Sequence, residues 1–226
     1  MAQLIQSPLS ERLETSEARQ RFVANPFFRG IQDSEVTARQ AVCFLGQWWH
    51  PLRYFPTFLA RCVAVLPDIK SKSAITRILD QEVGHGKPER AHESIYVESM
   101  TRAGFDREAV VGAAPLPATS ALLRGYERLS GERLTALGGV YATEVTDLLM
   151  VSSIGTAVEK ASGDRDNAWV AIHVEQEPDH VEEAGHTLME GFTEADEDQV
   201  VAAADEMWML WSAFFDQLVG ETGLGR

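Results

Sequence analysis

The sequence predicts an all-α fold: a single domain over residues 1–226, built as a bundle of about seven helices. Strict apolar–polar alternation, the mark of a half-buried strand, is nearly absent. Apolar residues instead recur at three- and four-residue spacings along most of the chain. Gly, Pro and Ser interrupt that pattern at intervals suited to helix ends. The length of 226 residues, with 45% hydrophobic and 24% charged residues, fits one globular unit with a substantial core.

The periodicity places a first helix near 8–24, followed by a turn at NPFFRGIQD. A long helix near 34–66 is expected to bend at Pro51 and Pro56. A third covers about 69–102, interrupted at QEVGHGKPERAH, where Gly84, Gly86 and Pro88 weaken it. Gly104 and the loop GAAPLPATS come next. Helices near 118–129, 132–161, 164–190 and 194–220 complete the bundle, separated by Gly131, Ser162-Gly163 and Gly191.

A formal net charge of −14 argues against a nucleic-acid partner, since phosphate binding needs basic patches. No apolar run reads as the roughly 20 residues of a membrane span, and the N-terminus lacks the basic flank and apolar block of a signal peptide. A cytoplasmic protein without a membrane partner is the expectation. Cys43 and Cys62 lie on one helical segment, about 30 Å apart if it is straight, and are read as reduced, packed thiols. Glu194, Asp196, Glu197 and Asp198 read as a solvated helix start.

Other polar residues fall on apolar faces. In HVEQEPDHVEEAGH, at about 100° per residue, Glu177 lies about 40° and His180 about −20° from His173. Trp169 and Val170 extend that face as apolar, which points it at the core. Glu175, Asp179, Glu182 and His186 fall on the far side. Glu144 sits in the stripe of Leu137, Val140, Tyr141, Leu148 and Val151, with Asp147 off its centre. Glu82 shares a face with Ile75, Ile78 and Leu79. A buried ionised carboxylate costs several kcal/mol unless paired or bound to a cation. Three glutamates and three histidines form a mixed oxygen and nitrogen set that suits iron or manganese, and two carboxylate-bridged ions within a helical bundle are a known solution to it.

The ligand order is Glu82, an interrupted turn, His92, a lone Glu144, then His173, Glu177 and His180. In it the chain resembles the heme-oxygenase-like diiron oxidases and oxygenases, relatives of the thiaminase-II and pyrroloquinoline-quinone synthase families. The likeness covers most of the chain, diffusely over residues 25–68 and most specifically in the final triplet. The family more often has Asp where Glu177 stands, and an acid ligand found on the second helix of some members is missing from QWWHPLRYF. The resemblance implies a heme-oxygenase-like fold with two Fe(II) ions, or manganese, held by those six side chains. O2 is the implied co-substrate, and a small amine, amino acid or fatty acid is oxidised by N-oxygenation, C–H oxidation or C–C cleavage in specialised metabolism. A small-molecule substrate, a homodimer and an external electron donor are the implied partners.

Glu82 and His85 also form a Glu-x-x-His pair. In a straight helix His92 would lie about 15 Å along the axis from Glu82, and the break at Gly84, Gly86 and Pro88 is what could return it. His92 is preferred as the ligand, with His85 lining the substrate pocket. Arg53, Tyr54 and Tyr141 are further candidates for substrate contact. Trp208, Trp211, Phe214 and Phe215 read as packing. The alternatives are a cofactor-free hydrolase or oxidase of the same fold, although neither cysteine sits in a suggestive motif, and a non-catalytic metal-binding helical protein.

Overall fold

The computed structural model describes residues 8–188 and 192–226, apart from the side chains of Pro8 and Glu177, and every regular element in them is helical. The expected bundle is present, but its seven segments resolve into eleven α-helices and one 3₁₀ turn among those residues. The first segment is two helices, α1 (Pro8–Glu14) and α2 (Glu17–Val23). They are separated at Ser16, whose side chain caps α2 at Arg19 N. The expected turn NPFFRGIQD is instead α3 (Pro26–Asp33). Asn25 caps it and Pro26 occupies the first turn, where a missing N–H costs nothing.

The long helix is α4 (Ala38–Val65), opened by a capping box between Thr37 and Gln40 and continuous through Pro51 and Pro56. Next come α5 (Ile69–Glu82), the 3₁₀ turn Pro88–Arg90 and α6 (His92–Arg102). The short α7 (Arg107–Val111) was not expected. Then follow α8 (Pro117–Leu129), α9 (Arg133–Ser162), α10 (Ala168–His186) and α11 (Glu194–Thr222). Residues 189 and 190, included in the expected sixth helix, lie outside the described residues.

α9 is the central helix and packs along α11, α10 and α4. By length and mean hydropathy (1.2) one stretch of it could cross a membrane, contrary to the sequence reading. Most of that stretch is buried inside this bundle, as expected of a core helix. Gly138 sets its distance from α11, because a methyl group there would strike the Val200 carbonyl oxygen. Leu137, Val140 and Val151 are buried, whereas Leu148 of the predicted stripe is 42% exposed. Phe22, Phe27, Phe28, Phe44 and Phe215 form a ring cluster that continues through Trp48 to Trp211 and Trp169. Each buried phenylalanine stabilises the fold by roughly 1.5–3 kcal/mol. Trp208, Trp211, Phe214 and Phe215 all pack in this core, which fixes the helices that carry the polar residues described next.

Candidate metal centre

The break after α5 is an ordered helix end. Gly84 N–H donates to Gln81 O and His85 N–H to Asp80 O, the two bonds of a Schellman motif with Gly84 in the left-handed position (φ +80°). His85 and Gly86 also have positive φ, +53° and +74°. This reverses the chain, and the 3₁₀ turn returns it. Glu82, the last residue of α5, therefore meets His92, the first of α6: Nδ1 lies 3.0 Å from Glu82 Oε1, with both side chains buried.

α9 and α10 supply the other half. Glu144 Oε2 lies 3.2 Å from His180 Nδ1, and both side chains are at most 3% exposed. His173 packs against His92, with ring centroids 4.5 Å apart, and its Nδ1 donates to Trp169 O at 2.8 Å, which leaves Nε2 for the site. The donor atoms of Glu82, His92 and His173 all fall within 4.8 Å of one another. Glu177 lies in α10 between His173 and His180, but its side chain is outside the described residues.

The electrostatics are those of two buried Glu–His pairs. Burial opposes the charged form of Glu82, yet the imidazoles of His92, His173 and His180 hold its pKa below the ordinary value. Burial likewise opposes protonation of His92 and His180. The Glu82 carboxylate outweighs it at His92, and Glu144 carries His180 up to about 9. His173 goes the other way: burial and the neighbouring His92 push it down to about 3.

These residues fit a divalent cation. His92 Nδ1 and Glu144 Oε1 are buried atoms without a hydrogen bond among the described residues. The short His92–Glu82 approach is thus not aligned as a hydrogen bond. A buried unsatisfied polar atom costs about 1–3 kcal/mol, which an ion between the pairs would offset. Imidazole and carboxylate donors with no thiolate suit iron or manganese.

Glu82, Glu144, His173 and His180 open onto one cavity, walled by Trp48, Pro51, Leu52, Phe55, Tyr126, Thr143 and Trp211. It holds ≈ 30 Å³, room for roughly two waters. Asp147 also lines it, although the sequence reading placed that residue off the stripe's centre. It lies one turn after Glu144, on the same face, and that spacing was the available signal.

The remaining candidates do not reach this cavity. His85 is exposed and pairs with Asp80 at 2.7 Å, because its positive φ turns it out of the reversal. Arg53 is exposed, on the outer side of α4. Tyr54 stacks on Tyr126 with centroids 6.3 Å apart, behind the cavity wall. Tyr141 is half-buried and faces the charges of Glu14 and Arg19. Cys43 and Cys62 are free thiols, and neither lines the cavity.

The opposed histidine shifts predict a pH profile for the metal-free protein. His180, raised from 6.5 to about 9, contributes stability that is fully present below pH 6.5 and is lost as pH rises through about 9. His173, lowered from 6.5 to about 3, contributes stability that is present above pH 6.5 and is lost as pH falls toward about 3. Urea midpoints measured with chelator across this range should peak near pH 6.5. A midpoint still climbing from pH 7 to 9 would contradict the pairing of His180 with Glu144.

Comparison with known proteins bears on the family and the fold. The model of a family described as iron-containing redox enzymes matches residues 42–213. A 4-chloro-allylglycine synthase from Streptantibioticus cattleyicolor is 26% identical over 168 residues, 72% of this chain and 63% of that protein, so the match spans less than two thirds of the relative. Among solved structures, a domain of unknown function with a heme oxygenase-like fold from Shewanella denitrificans has a TM-score of 0.77 at 22% identity, covering 98% of this chain and 95% of that one. A CadD-like protein of unknown function from Nostoc punctiforme gives 0.76 at 17%, covering 95% of each chain. A TenA homologue from Pseudomonas syringae gives 0.71 at 15%, covering 94% and 91%. The fold is heme-oxygenase-like.

Proposed function

We propose that this chain, which belongs to the family of iron-containing redox enzymes, is a non-heme diiron oxidase or oxygenase acting on a small amine or amino acid. The observation that carries the proposal is the pair of buried Glu–His couples, Glu82–His92 and Glu144–His180, with His173 beside them and four of these five side chains lining one cavity. Glu82, His92, Glu144, His173 and His180 would hold the ions, with Glu177 completing the set. Two ferrous ions there would supply electrons and open positions for O2.

The chain's own groups shape the rest. Trp48, Leu52, Phe55, Tyr126 and Trp211 line the cavity with apolar surface, and a substrate seated against them would displace its water and strengthen the charge interactions there. The aromatic faces of Trp48, Phe55, Tyr126 and Trp211 make its wall π-rich, a surface that suits an ammonium group better than a fatty-acid carboxylate. His180, which Glu144 holds protonated up to about pH 9, would have to lose a proton to bind a metal, so loading should release protons. Reducing O2 to water takes four electrons, so a two-electron substrate oxidation calls for an external donor. The similarity to a synthase whose name specifies an allylglycine product supports an amino-acid substrate in specialised metabolism.

A thiaminase-like hydrolase would need a cysteine nucleophile in the cavity, and neither Cys43 nor Cys62 lines it; burial also pushes the Cys62 thiol up, away from its reactive form. The test is O2 uptake by the Fe(II)-loaded protein with panels of amino acids, diamines and fatty acids, followed by mass spectrometry of products. Uptake accelerated by an amine-bearing compound is expected. Acceleration by fatty acids alone would overturn the substrate class, and metal-independent hydrolysis of a thiamine-like compound would overturn the redox assignment.

A further inference from the structure

Two glutamines hold the outer nitrogens of two of the site's three imidazoles, and the bonds cross. Gln81, beside Glu82 at the end of α5, places Oε1 2.7 Å from Nε2 of His180 on α10. Gln176, in α10 between His173 and His180, places Oε1 3.1 Å from Nε2 of His92 at the start of α6. Each glutamine therefore sits on an element that supplies ligands and reaches the imidazole of a different one. In sequence, each directly precedes a glutamate of the proposed ligand set, as Gln81-Glu82 and Gln176-Glu177. Adjacent helical residues point about 100° apart, so when the carboxylate faces the cavity the amide is directed sideways at a neighbouring helix.

An amide oxygen only accepts, so each Nε2 carries a proton and Nδ1 is the inward atom. That is the atom found beside Glu82 in His92 and beside Glu144 in His180. His173 is set the opposite way, since its Nδ1 donates to Trp169 O. We infer that Gln81 and Gln176 are positioning residues: they fix His180 and His92 as Nδ1 donors and brace α5 and α6 against α10, so that the two Glu–His pairs share one geometry. The inference rests on the metal-centre reading for its purpose, but the hydrogen bonds are testable without metal.

The experiment uses the full chain and four variants, Gln81→Met, Gln176→Met, Gln81→Glu and Gln176→Glu. Methionine keeps the length and removes the acceptor, whereas glutamate restores an accepting oxygen. In the metal-free protein, nitrogen-15 NMR should show slowly exchanging Nε2–H signals from both His92 and His180. Gln176→Met should lose the His92 signal and keep that of His180; Gln81→Met should do the reverse. Each should bind Co(II) about 10- to 100-fold more weakly, the usual cost of losing a group that orients a ligating histidine, and the glutamate variants should recover both readouts. The two arms are independent, so a misfolded variant in one leaves the other decisive. Survival of either signal without its glutamine, or unchanged Co(II) affinity after its loss, overturns the inference. Intact signals in a wild-type protein that binds no divalent ion would overturn the metal centre and leave the crossed bonds standing.

Discussion

Glu144→Ala is expected to remove the metal and to destabilise the metal-free protein by about 3–5 kcal/mol, the range for breaking a buried ion pair by deleting one partner. The second effect arises because His180 holds its raised pKa mainly against burial through Glu144. Without that carboxylate the imidazolium loses the counter-charge that does most to raise its pKa, in a buried position. His173→Ala should also abolish the centre, because it removes one of three donors lying within 4.8 Å of one another. It should cost stability differently, however. Burial keeps His173 neutral, with its Nδ1 bonded to Trp169 O, so its loss leaves a cavity and no stranded charge. Iron content and urea unfolding, measured on both variants, separate the two cases. Full iron content and activity in either would show that its residue is not a ligand.

Gly84→Ala is expected to lose metal although position 84 carries no donor. A left-handed φ of +80° costs an alanine roughly 1–2 kcal/mol. The added methyl group would also strike Lys87 O, Arg90 C and Ala91 N, all backbone atoms that cannot rotate away. Relief requires opening the reversal, which carries Ala91 and His92 away from Glu82. Gly86→Ala is the matched control. Its φ is +74°, so it has the same backbone strain, but nothing lies within 4 Å of the new methyl. It should lose comparable strain energy and keep its metal. Equal metal loss in both variants would mean that strain alone, not the close approach to Ala91, governs the site.

The all-helical class and most helix positions were legible in the sequence because periodicity and capping residues are local signals. Short helices were not. α3 is built from NPFFRGIQD, which reads as a turn by composition, and it is held by Asn25 capping and by Phe27 and Phe28 packing on Phe215. In the site, helical spacing separated the inward His173 and His180 from the exposed Glu175, Asp179 and Glu182. It could not decide between His85 and His92, seven residues apart, since the answer lies in three consecutive positive-φ residues. Asp147 was set aside because face assignment at one turn's distance is coarse. Position near the site is too coarse a guide for Arg53 and Tyr54 on α4 and for Tyr141, one turn before Glu144 on α9, and none of the three lines the cavity.

The central claim is that these two Glu–His pairs hold two irons that react with O2. The direct measurement is anaerobic titration of the metal-free protein with Fe(II), with candidate amines present, followed by metal counting and rapid-mixing absorbance on exposure to O2. The account predicts two irons per chain and an O2-dependent transient that disappears in Glu144→Ala. Fewer than two irons per chain under every condition, together with no transient, would contradict it.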